Sequence, residues 1–78
     1  NRIMVQYSTN TESKVIIQVH DLSGKYVKTL FQGKAGQGEH QIFWDKTGRF
    51  GKSISSGIYF ISIKIGNKTE RLKVAISK

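Results

Sequence analysis

The stretch from Ser56 to Ile65, Ser-Gly-Ile-Tyr-Phe-Ile-Ser-Ile-Lys-Ile, constrains the fold more than any other part of this 78-residue chain. Six of its ten residues are Ile, Tyr or Phe, side chains that suit a pleated, half-buried surface. Successive side chains of a strand point to opposite faces, so Tyr59, Ile61, Ile63 and Ile65 share one face and Ile58, Phe60, Ser62 and Lys64 share the other. The first face is wholly apolar. The second begins apolar and turns polar. That is the pattern of a central strand over a core, and the other segments read as its cover.

Taken in order, Ile3 to Tyr7 alternates as a first strand, and the polar run Ser8 to Ser13 reads as a loop. Lys14 to His20 is a second strand with Val15, Ile17 and Val19 inward. Asp21-Leu22-Ser23-Gly24-Lys25 is a turn in which Asp21 accepts bonds from nearby backbone N–H groups and Gly24 supplies a positive φ. Tyr26 to Phe31 returns as a third strand. Val27 and Leu30 are three apart, so keeping both inward requires a bulge between them. The glycine-rich run Gln32 to Gly38 connects two sheets. Glu39 to Asp45 is a fourth strand with His40, Ile42 and Trp44 inward and Phe43 outward. Lys46 to Ser53 is an exposed loop, and Ile54 a short strand or staple. Gly66-Asn67 signals a two-residue hairpin turn, and Thr69 to Ser77 is the last strand, with Leu72, Val74 and Ile76 inward. Six long strands and a short one, with glycine turns and no helical period, indicate a β-sandwich; a five-stranded barrel is the structural alternative.

Seventy-eight residues make one domain, spanning 1–78. A chain of this size buries only roughly 60–65% of its unfolded surface. It contains no cysteine, so no disulfide or thiolate metal site reinforces it, and packing must hold the fold. Thirteen Lys and Arg against five Asp and Glu give a formal charge of +8, a field that favours anionic partners. The basic residues are scattered along the sequence, so nucleic acid is not expected as a partner. No apolar run approaches the ~20 residues that span a bilayer. No signal peptide is recognisable, and the chain begins at Asn1 without an initiator Met, as expected of a module taken from a larger protein.

Four ordered pieces carry a family resemblance: Val15-x-Ile17-x-Val19-x-Asp21-Leu22-Ser23-Gly24-Lys25-x-Val27-x-x-Leu30; Gly38-x-His40-x-Ile42-x-Trp44-Asp45; Gly51-Lys52-x-Ile54-x-Ser56-Gly57-Ile58-Tyr59-Phe60; and a basic terminal strand. Together they resemble the type IX secretion system C-terminal sorting domain, type A, and the related Ig-like domain of the flagellar hook-capping protein. The resemblance implies an all-β, seven-stranded antiparallel Ig-like β-sandwich at the C-terminus of a larger secreted bacterial protein. In the sorting family it implies a non-catalytic export signal, read by outer-membrane secretion machinery during a transient periplasmic passage. The cargo then stands at the cell surface, with anionic lipopolysaccharide or glycan as a further partner. Carried over residue by residue, the recognition elements are Gly57, Ile58, Tyr59 and Phe60, with Arg71, Leu72, Lys73, Val74, Ala75, Ile76, Ser77 and Lys78. Sorting domains often begin with an Asn-Pro pair where this chain has Asn1-Arg2, and the Trp44-Asp45 segment with its long following loop is closer to the hook-cap branch. The alternative is therefore an accessory structural, adhesive or carbohydrate-binding Ig-like module of a secreted enzyme or hook-cap-type protein, with the parent's preceding domain as its partner.

The residues themselves offer no catalytic set. Asp21, His20, His40, Ser23 and Asp45 are the ingredients of a hydrolytic triad, but a triad needs nucleophile, base and orienter in mutual hydrogen-bond reach, and turn chemistry accounts for Asp21 and Ser23. Gly51-Lys52-Ser53 resembles the end of a phosphate loop, yet Lys46 stands where the motif needs glycine and a strand follows where it needs a helix. Two dispersed His and five dispersed carboxylates lead us to expect no metal and no cofactor. Asn67-Lys68-Thr69 matches a glycosylation sequon within a tight turn. Among the aromatics, Trp44 and Tyr59 read as core. Tyr26, Phe43 and Phe50 read as surface rings able to stack on sugars or bases, with Phe43 near Lys46 and Arg49.

Overall fold

A computed structural model of the chain describes residues 2–77. Six strands follow one another: β1 (Ile3–Thr9), β2 (Ser13–Asp21), β3 (Tyr26–Ala35), β4 (Gly38–Trp44), β5 (Gly57–Ile65) and β6 (Lys68–Ile76). A 3₁₀ turn at Arg49–Gly51 lies between β4 and β5. β1 and β4 form a two-stranded sheet, and a four-stranded sheet runs in the order β3-β2-β5-β6. Every pairing is antiparallel. The fold is the expected all-β sandwich. Its short seventh element takes the form of an isolated antiparallel bridge between Thr47 and Ser53, beside Ile54, which packs on the core.

The opening stretch occupies the expected place. β5 lies inside the larger sheet between β2 and β6. Ile17 stands opposite Ile63, and Val19 opposite Ile61. Such β-branched cross-strand pairs are the unit of sheet stabilisation, and Val15, Ile17, Val19 and Ile61 are all fully buried. Val5 and Trp44 close the core from the smaller sheet. Trp44 meets Tyr59 edge to face, with ring centroids 6.0 Å apart and planes at 69°. Both rings also bury a polar handle that must find a partner. Trp44 Nε1–H donates to the Thr47 carbonyl at 2.8 Å, and the Tyr59 hydroxyl donates to the Ser55 carbonyl at 2.7 Å.

Two turns follow from side-chain chemistry. Asp21 Oδ1 accepts from the Ser23 and Lys25 N–H groups at 3.0 and 2.9 Å, and Gly24 takes φ +91°, a conformation glycine adopts without steric cost. In the β5–β6 hairpin Gly66 takes φ +60° while Asn67 keeps a negative φ, the pattern of a turn with glycine at its first central position.

The structure corrects several boundaries. Ser8 and Thr9 belong to β1 rather than to a loop, because Thr9 is buried and its hydroxyl donates to the Gly36 carbonyl at 2.6 Å. β3 runs on through Ala35, with Gly33 opposite Val15 and Lys34 opposite Lys14. The connection between the sheets therefore shrinks to Gly36 and Gln37. The bulge expected in β3 is present as two register shifts, which leave Leu30 and Val27 as the extra residues; both remain packed on the core. Leu72 is not inward in effect. It stands opposite Ile61 on the core face, yet it is 43% exposed. Toward the sheet edge the two-stranded cover runs out, and only Ile76 of β6 is fully buried.

Replacing Trp44 by alanine should cost about 3–5 kcal/mol, as for large core aromatics. Tyr59→Phe, which leaves the Ser55 carbonyl without its donor, should cost about 1 kcal/mol. Urea unfolding followed by far-UV circular dichroism checks both. A Trp44→Ala loss under 1 kcal/mol would show that the sheets hold together without the aromatic pair.

Candidate binding face

The two stretches expected to carry recognition are brought together. Gly57 stands opposite Ile76, Ile58 opposite Ala75, Tyr59 opposite Val74 and Phe60 opposite Lys73. They divide by face. Tyr59 and Ile76 are buried in the core, Val74 is half-buried, and Ile58, Phe60, Arg71, Lys73 and Ala75 belong to the opposite, outward face. Ser77 is exposed beyond the strand, and Lys78 lies outside the described residues. β6 forms one edge of its sheet, with Arg71 and Lys73 exposed on it.

That outward face extends across all four strands in three rows fixed by register. The first runs Tyr26, His20, Phe60, Lys73; the second Thr29, Gln18, Ser62, Arg71; the third Gln32, Ile16, Lys64, Thr69. The bulges in β3 build it. By absorbing Val27 and Leu30 as extra inward residues, they return Tyr26 and Thr29 to the outer side, the re-aiming that bulges provide. Side-chain contacts knit the rows together. Tyr26 meets His20 edge-on with centroids 6.0 Å apart, the Tyr26 and Thr29 hydroxyls share a 2.7 Å hydrogen bond, and Gln18 Nε2 donates to Thr29 Oγ1 at 3.4 Å. Each end of the aromatic row carries a guanidinium. Arg71 lies over Phe60 at 5.1 Å, and Arg49, from the 3₁₀ turn, lies over Tyr26 at 5.6 Å.

Five of the thirteen Lys and Arg side chains, separate in sequence, share this face in space. Lys14 and Lys34 face each other beyond the third row and join Lys64, Arg71 and Lys73 on this face. None of the five carboxylates does. Glu12 is in a loop, Asp21 ends β2 opposite the inward Tyr59, Asp45 follows β4, Glu39 is on β4, and Glu70 stands opposite Ile63 on the core side. Sequence reading did not single out His20, Gln18, Lys14, Lys34 and Lys64 as one site. Strand alternation already put them on outward positions, but only the register joins the strands.

The surface aromatics are exposed as expected, but they do not form one surface. Tyr26 is on the face just described, Phe50 is at the loop tip with φ +60°, and Phe43 is on the outer side of the smaller sheet beside Met4. Phe43 is covered by Arg2 at 4.2 Å rather than by Arg49.

The candidate catalytic groups are dispersed and occupied with structure. Asp21 Oδ1 accepts from the Ser23 hydroxyl at 2.7 Å, but no His joins them. The Ser23 hydroxyl, together with the Lys25 N–H, holds the Asp21 carboxyl below its ordinary range. Asp45 is lowered chiefly by the Thr47 hydroxyl at 2.6 Å, with the Lys28 ammonium at 3.5 Å assisting. His40 stacks on Tyr7 at 5.1 Å, and its Nε2 lies 2.6 Å from the Gly36 carbonyl. A carbonyl only accepts, so Nε2 carries the hydrogen. Burial pushes the Tyr7 hydroxyl up, which keeps it neutral. Gly51-Lys52-Ser53 runs from the 3₁₀ turn into the bridge to Thr47, with no helix after it. Among the described residues no three His, Asp or Glu side chains converge as metal ligands do.

A family model of the FlgD Ig-like domain matches residues 2–69. Among solved structures, that of FLGD from P. aeruginosa superposes with a TM-score of 0.72 at 21% identity, over 97% of this chain and 61% of that one. At that identity the likeness is one of fold, and the chain spans 61% of the solved chain's length. No curated protein matches.

Asp21 and Asp45 generate a pH prediction. Each has a folded-state pKa below its unfolded value. The stability they contribute is therefore complete above the ordinary carboxylate range and is lost as pH falls through the folded values. Asp21→Ala and Asp45→Ala should each lower Tm at pH 7, and the gap to the parent sequence should narrow as pH falls below the ordinary carboxylate range. Thermal melts from pH 7 down through the acid range test this; a gap that stays constant throughout would assign the loss to something other than the charged carboxylate.

Proposed function

The chain belongs to the FlgD Ig-like domain family, and from that premise we propose that it serves as a non-catalytic structural module of a larger, secreted hook-cap-type protein. The observation that carries the reading is the family match over residues 2–69, which spans β1 to β5 and the start of β6. The chemistry of the site agrees with it. Asp21, Ser23, Asp45 and His40 are engaged in holding turns and connections, while the groups left outward are cations, rings and an open sheet edge. Those serve contact rather than bond cleavage. Its immediate partner in this reading is the preceding domain of the parent.

A second reading is favoured by one feature. The Gly57–Phe60 segment and the strand from Arg71 to Ile76 are hydrogen-bonded neighbours, and the latter is a basic sheet edge. Such an edge suits a receptor that adds a strand, as outer-membrane secretion machinery would in recognising a folded sorting domain. In this reading the passenger is released to the cell surface and held near anionic lipopolysaccharide.

The readings predict different outcomes for the full-length parent. If the module is structural, deleting residues 1–78 should leave secretion of the remainder intact and abolish its assembly. If it sorts, a reporter fused to residues 1–78 should be exported, and Arg71→Ser with Lys73→Ser should abolish export while leaving the fold intact. Removing Lys73–Lys78 is a harsher version, since it takes Ile76 from the core. Export of the double variant at the unaltered level would remove the sorting reading. Normal assembly of the deleted parent would remove the structural one.

A further inference from the structure

We propose that the outer face of the β3-β2-β5-β6 sheet is a binding surface for an acidic, carboxylate-bearing polysaccharide. The chemistry of that face alone supports this assignment, independently of the family reading. Five cations, Lys14, Lys34, Lys64, Arg71 and Lys73, stand on it without a carboxylate, and Arg49 leans over its Tyr26 corner. An anion is the chemistry that complements them, and this concentration of one sign on a flat surface raises the local concentration of a polyanion.

The aromatic row decides which polyanion. A single-stranded nucleic acid would stack its bases on open ring faces. Here the ring faces are taken. Guanidinium groups lie over Phe60 and Tyr26, and His20 meets Tyr26 edge-on. What the rings provide is a support that holds each guanidinium in place. A guanidinium so held presents a rigid fork that matches a carboxylate with two parallel hydrogen bonds and loses less freedom on binding. Between the guanidiniums, the row Thr29, Gln18 and Ser62 offers hydroxyl and amide groups that both donate and accept. A surface of fixed forks with neutral hydrogen-bonding groups between them fits a chain bearing carboxylates and hydroxyls together. A lipid surface or polyphosphate would use the cations and leave the amide row idle.

The test is titration of the isotopically labelled domain with polygalacturonate, following amide shifts, beside dextran as neutral control, phosphatidylglycerol vesicles and an oligo-dT strand. Shifts should fall on β2, β5 and β6 outward residues, and binding should weaken as salt rises and shortens the screening length. Arg71→Gln should weaken binding about tenfold, the effect of losing one charge-assisted contact. Arg2→Gln removes the same charge from the opposite sheet, where Arg2 covers Phe43, and should change binding by less than about twofold if rim-type charge alone is lost. Gln18→Ala should weaken polygalacturonate binding and spare any vesicle binding. Retention of the folded spectrum in each variant keeps the comparison valid. Equal losses from Arg2→Gln and Arg71→Gln would overturn the proposal in favour of attraction to net charge. So would tighter binding of the vesicles or the oligonucleotide, or dextran binding as well as polygalacturonate.

Discussion

The contact of Trp44 with Tyr59 is the constraint on which the rest depends. The two sheets share no hydrogen-bonded strand, so side chains alone hold them face to face, and this pair reaches from β4 to β5. Its polar handles extend the effect beyond the core. Trp44 Nε1 holds the Thr47 carbonyl and the Tyr59 hydroxyl holds the Ser55 carbonyl, so the two rings pin both ends of the β4–β5 connection. Within that connection the Thr47–Ser53 bridge and the Gly48 to Lys52 hydrogen bond set the 3₁₀ turn. The turn in turn places Arg49 over Tyr26 on the far face of the larger sheet. A core contact and a surface cation are thus joined by three short steps, each a hydrogen bond or a packed ring.

β3 shows how one strand serves core and surface at once. A regular strand alternates strictly, so Val27 and Leu30 cannot both be inward without an extra residue. Each register shift resets the alternation, and the strand delivers two apolar residues to the core while returning Tyr26 and Thr29 to the outer rows. An unbulged β3 would turn part of that set to the wrong side, since a one-residue slip exchanges faces.

What was legible in the sequence follows the same division between alternation and register. Alternation is local, and it correctly gave the buried faces of β2 and β5 and the outward Phe43, as local turn chemistry gave the Asp21 turn. Register and sheet order are not local. Nothing between His20 and Phe60 says that they will be neighbours, so the outer rows could not be assembled from the chain alone. Glycine-rich Gln32 to Gly38 read as a connection because glycine weakens a strand, yet pairing with β2 carries β3 through Gly33 and Lys34. Leu72 alternates with the core residues of β6 and still stands half in solvent, because its burial depends on the width of a sheet elsewhere in the sequence. The candidate recognition segments came from resemblance; the structure pairs them in space, and it divides them between core and outer face.

The placement of the cations separates two explanations for so basic a chain. Exposed sheet edges are commonly guarded by lysine and other charged residues, which discourage pairing with another strand. That accounts for Arg71 and Lys73 on β6, and in part for Lys34 on β3 at the other edge. It does not account for Lys14 on β2 or Lys64 on β5, which lie on interior strands with neighbours bonded on both sides. A charge there guards no edge. It adds to the self-repulsion that a strongly charged domain carries, in a fold too small to have a large core. Solubility alone would be served as well by carboxylates mixed among the cations of this face. Five cations on one face without a carboxylate, with Arg49 and Arg71 propped on rings, are what a surface for a polyanion requires and what edge protection does not.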